Sequence, residues 1–140
     1  MHFCGSNGKT ALMEGLNEYL TRKLALKYNL KTNGCGYPKE IKIVIELEKI
    51  FGEKILQQIA FSKSENEIEL TLNKINPKAA SFFFNLEKEM DNEFYNKYYK
   101  FKFPGLSGPF DKAKKYNDIN YDKVNKLINE YNKEISITNN

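Results

Sequence analysis

Apolar residues return every three or four positions through most of this chain, and the first clear case follows Thr10. At about 100° per residue, Leu12, Leu16, Tyr19 and Leu20 share one side of a helix, while Glu14, Glu18, Thr21 and Ala25 share the other. The first side requires a core. Thr10 can cap this helix, which runs out near Tyr28, and residues 1–9 form a polar, glycine-containing lead-in. Asn33-Gly34-Cys35-Gly36-Tyr37-Pro38 then reads as a loop that puts Pro38 at the first position of a second helix, with Glu40 in its first turn.

Two stretches carry a double period. Ile41, Ile43, Ile45 and Leu47 alternate as in a strand, yet Ile41, Val44, Ile45, Glu48 and Phe51 form a helical stripe; Ile68, Leu70 and Leu72 pose the same ambiguity. The helix-start signal at Pro38 and the capping box Ser64-Glu65-Asn66-Glu67 favour helices in both. Gly52 separates the second helix from a third carrying Ile55, Leu56, Ile59 and Ala60. Asn76-Pro77 signals another start, ahead of Ala80, Phe83, Phe84 and Met90 on an inner face. A last helix after Asn120 presents Tyr121, Val124, Leu127, Ile128, Tyr131 and Ile135. The pattern predicts a mainly α protein, a compact bundle of about five or six helices. The alternative is α+β, with a small two-stranded sheet from 40–48 and 67–73. Residues 1–140 form a single helical domain in which 91–119 is an aromatic, basic, irregular segment and 137–140 a frayed tail.

Composition changes this picture little. A chain of 140 residues with 41% hydrophobic and 29% charged positions is long enough for its own core. Nothing approaches the apolar run of a membrane span. Its net charge of +4 is spread among interleaved lysines and glutamates, so nucleic acid is compatible but not demanded. Cys4 and Cys35 lack metal-type spacing, and no export signal opens the chain, which points to free thiols in the cytoplasm.

Candidate chemistry is sparse. Gly5-Ser6-Asn7-Gly8-Lys9-Thr10 ends like a phosphate-binding loop, but Phe3 stands where that motif needs its first glycine, and a polar helix lead-in is the better reading. His2 is the single histidine, so no His-Glu-x-x-His motif exists here. Ser62, Ser64, Ser81 and Ser107 lie in helix caps, a helix or a loop, without the glycine turn of a nucleophile elbow. Glu14 and Glu18, one turn apart, read either as a solvated face or as a pair that needs a cation or donor between them. Tyr95, Tyr98, Tyr99, Lys100, Lys102, Lys112, Lys114 and Lys115 interleave rings with cations, suited to a protein partner or to stacking on nucleic acid.

The helix Ala11-Leu12-Met13-Glu14-Gly15-Leu16-Asn17-Glu18-Tyr19-Leu20-Thr21-Arg22-Lys23 resembles one of the zincin-like, gluzincin-type bacterial metallopeptidases. Gly36-Tyr37-Pro38-Lys39-Glu40-Ile41-Lys42-Ile43, Leu47-Glu48-Lys49-Ile50-Phe51-Gly52-Glu53 and the helix at 65–75 extend the likeness, which covers about residues 8 to 90. It implies that Glu14 is the third zinc ligand and that Glu18 supports it from behind. Met13 and Asn17 depart from the family's asparagine and threonine, and the helix with both histidine ligands and the general base is missing. Either the chain is the C-terminal helical part of a longer peptidase or a standalone remnant without catalysis. The expectation is a non-catalytic binding or inhibitory module acting on a protein partner, in a phage or mobile-element setting. No cofactor is expected, and zinc is the one metal left open. The alternatives are a peptidase fragment and a nucleic-acid-binding protein.

Overall fold

The computed structural model describes residues 10–31, 36–95 and 116–138. Among them lie six helices: α1 (Ala11–Lys27), α2 (Pro38–Phe51), α3 (Glu53–Ala60), α4 (Glu65–Asn73), α5 (Ala79–Phe94) and α6 (Asp122–Thr138). No strand occurs among the described residues, so the helical reading holds at both ambiguous stretches. In α2 the buried positions are Glu40, Ile43, Val44, Leu47 and Phe51, a helical stripe, while Ile41 and Ile45 are only half-buried. No helix among the described residues is long and apolar enough to cross a membrane.

Local signals account for most boundaries. Thr10 accepts the Met13 N–H on its hydroxyl at 3.2 Å, satisfying one of the free donors that open α1. Ser64 does the same for Glu67 at 3.3 Å, and the Glu67 carboxylate reaches back to the Lys63 N–H at 2.7 Å, one residue before its usual target. Asn76 serves a turn: its side-chain oxygen accepts the Lys78 N–H at 2.9 Å, so α5 begins at Ala79. That helix runs on to Phe94, past the change of composition at Asp91.

Helix α1 is the hub, packed against α2, α3 and α5, while α6 closes over α5 and α2. Leu12, Leu16, Val44, Leu56, Phe83 and Met90 meet in one core. Between α5 and α6, Phe82 stacks on Tyr131 at 4.0 Å, and Phe51 packs beside both rings. Two carboxylates of α5 meet the start of α1: Glu87 accepts from the Thr10 hydroxyl at 2.8 Å and Asp91 from the Ala11 N–H at 2.8 Å. They put negative charge at the positive end of that helix. Where α1 crosses α2, Gly15 allows near contact, because a Cβ there would lie 2.6 Å from the Cβ of Glu40.

Candidate functional site

The acidic side of α1 does not face solvent. Glu14 is 6% exposed and Glu18 only 1%, buried with Ala11, Gly15 and Ala25 because α1 is covered on both sides. Arg22 supplies a cation for Glu18, its Nε donating at 2.9 Å while its own side chain remains partly in water. A second guanidinium donor reaches the carbonyl of Gly36 at 3.4 Å, so Glu18 also orders the entry to α2. Tyr37 there adopts φ 58°, an uncommon conformation for an aromatic residue, and its ring packs 6.5 Å from that of Phe94. Among the described residues, no three His, Cys, Asp or Glu side chains are grouped to hold a metal. Glu18 is committed to an ion pair, and nothing described completes a zinc site around Glu14.

The most enclosed acid among the described residues is one that the sequence marked only as a first-turn acid of α2. Glu40 is fully buried at the α1–α2 crossing. Its Oε1 accepts from the Tyr116 hydroxyl at 2.5 Å and its Oε2 from the Tyr121 hydroxyl. Burial, reinforced by that carboxylate, pushes both phenols well above the ordinary tyrosine range. Lys39, one residue earlier, donates its ammonium to the carbonyls of Tyr116 and Asn117 at 2.8 Å each and to that of Ile119. Glu93 of α5 accepts the N–H groups of Asn120 and Tyr121 at 3.0 Å. These bonds hold Tyr121 at φ 54° and set the angle at which α6 leaves.

That angle opens a groove of about 730 Å³ between α2 and α6. Its apolar lining is half-buried Ile45, with the buried Ile43, Ile119 and Ile128 behind it. Lys42 and Glu46 stand on the α2 wall, Asn125 and Asn129 on the α6 wall. Glu46 is paired with Lys49 at 3.1 Å. By contrast, the side chains of Lys42, Asn125 and Asn129 make no hydrogen bond or ion pair among the described residues. The lining combines hydrogen-bonding amides, the two lysines Lys39 and Lys42, the carboxylate of Glu46 and a small apolar patch.

Of the aromatic and basic residues singled out from the sequence, Tyr95 is exposed, its ring edge-on to Phe94 at 6.3 Å. Tyr98, Tyr99, Lys100, Lys102, Lys112, Lys114 and Lys115 lie outside the described residues, as does the phosphate-loop-like lead-in before Thr10. The groove escaped notice because its amides sit just beside the core stripe of α6, where asparagine reads as ordinary solvated surface. A second surface also went unread: Leu24, Leu26, Tyr28 and Leu30 are exposed where α1 ends, although Leu16, Leu20 and Leu24 share core-like spacing. Set against known proteins, the chain matches no family model, no curated protein and no solved structure. The gluzincin likeness therefore rests on the quoted residues alone.

Proposed function

We propose that the chain is a non-catalytic binding or inhibitory module that acts on a protein partner. The observation that carries this reading is the α2–α6 groove, where Lys42, Asn125 and Asn129 have no described partner around an isoleucine floor. Polar groups around a concave apolar surface are the usual equipment of a recognition site. The state of Glu18 supports the same reading, since an acid neutralised by Arg22 within a helix crossing is part of the scaffold. A partner bound there would bury the groove and leave the helical core unchanged.

The test places photoreactive benzoyl-phenylalanine at Lys42 in the groove and, as a control, at exposed Lys63. In a lysate of cells expressing the chain, position 42 should cross-link one protein that position 63 does not. Equal labelling from both positions, or none from either, would overturn the reading. Turnover of a quenched fluorescent peptide library with zinc added would replace it with the peptidase alternative. A gel shift lost on replacing Tyr98, Tyr99 and Lys100 would replace it with the nucleic-acid one.

A further inference from the structure

The amide side chains of α6 stand at a spacing that matches a particular kind of ligand. Asn125 and Asn129 are four residues apart on one helix, which places them about 6.0 Å apart along its axis. An extended peptide repeats its backbone groups on one side every two residues, about 6.8 Å. Each asparagine carries an acceptor and a donor on one planar group, complementary to one backbone N–H and one C=O. Two such amides at nearly the strand repeat can pair with alternate residues of an extended chain, whatever side chains it bears. A helical ligand offers no such match, because its own ladder consumes its backbone groups.

The remaining walls narrow the ligand further. Half-buried Ile45, backed by the buried Ile43 and Ile128, forms an apolar patch that would take one inward side chain. Lys39 is occupied with three carbonyls of the 116–119 turn, which leaves Lys42 as the cation of the α2 wall that has no described partner. Resting on the binding-module reading, the geometry points to an extended peptide segment as the occupant of this groove. Its backbone pairs with Asn125 and Asn129, one apolar side chain meets the isoleucines, and an adjacent acidic side chain pairs with Lys42. Lys42, the lysine of that wall without a described partner, favours the acid, and the amide spacing favours the extended backbone.

The experiment pans a phage-displayed library of random dodecapeptides on the full chain and titrates the enriched sequence, made as a synthetic peptide, by calorimetry. Enriched peptides should carry an acidic residue beside an apolar one. Affinity should fall about tenfold or more for the N125A/N129A double variant, and similarly when two alternate backbone amides of the peptide are methylated. Asn125 and Asn129 are exposed and hold nothing described in place, so the variant should keep the wild-type circular dichroism spectrum. Peptides that bind the double variant as tightly as wild type would overturn the inference, as would tolerance of both methyl groups or a library that yields no binder. If no peptide binds while position 42 still cross-links a protein, the extended-peptide inference falls and the module reading stands. If the cross-link also fails, both fall.

Discussion

Gly15 and Glu40 meet where α1 crosses α2. A methyl group at residue 15 would press on the Cβ of Glu40 at 2.6 Å and on its backbone carbon at 3.1 Å, which cannot swing aside. Gly15→Ala should therefore destabilise the protein: overpacking costs about 1–3 kcal/mol, offset by about 1 kcal/mol of helix propensity. A lower urea midpoint at unchanged slope would show it, and a higher midpoint would mean that the crossing relaxes freely. Tyr121→Phe leaves one oxygen of the buried Glu40 carboxylate without its donor. The expected loss is about 1–3 kcal/mol, read in the same titration, because a buried acceptor is left unsatisfied.

Among the elements, α6 depends most on groups distant in sequence. Lys39 holds three carbonyls of the turn before it, and Glu93 caps two of its leading N–H groups. Replacing the ammonium by a methyl group in Lys39→Met should cost about 1.5–3 kcal/mol. Hydrogen exchange should then rise more at residues 119–121 than in the middle of α1; a uniform rise would contradict a local clamp. This division also decides what could be read in advance. Thr10, Pro38 and Ser64 announced their helices because a cap acts within three or four residues, and the stripe Val124, Ile128 and Tyr131 gave α6 its inner face. Glu40 looked like a first-turn acid because its two donors lie 76 and 81 residues away. The groove was equally hidden, since Lys42, Asn125 and Asn129 acquire meaning only from the angle between two helices. On α1, periodicity correctly separated acids from leucines but could not tell that neighbours cover both sides.

For the whole molecule, the titrating groups set the pH range of stability. Burial raises Tyr116, Tyr121, Tyr19 and Tyr131 above the ordinary tyrosine value, so the fold retains phenol protons that the unfolded chain gives up near pH 10. The stability these protons confer is complete below that pH and declines above it. A plot of unfolding free energy against pH should turn downward near pH 10, less steeply in Tyr121→Phe; parallel slopes would refute the assignment. Burial likewise raises Glu87 and Asp91, so their contribution is complete below the unfolded carboxylate range and diminishes as pH rises through their folded values. Glu87→Gln should flatten that acid-side decline, measured as the thermal midpoint between pH 4 and pH 7 at about unit intervals; an unchanged profile would remove Glu87 as a source.

The carboxylate of Glu40 also imposes an order on synthesis. It leaves the ribosome 76 residues ahead of one tyrosine and 81 ahead of the other. A nascent chain that has already made α1 and α2 lacks both donors for an acid that their crossing buries, and a buried acceptor left unsatisfied is costly. The crossing therefore reaches its full hydrogen bonding only once Tyr121 has been added to the chain.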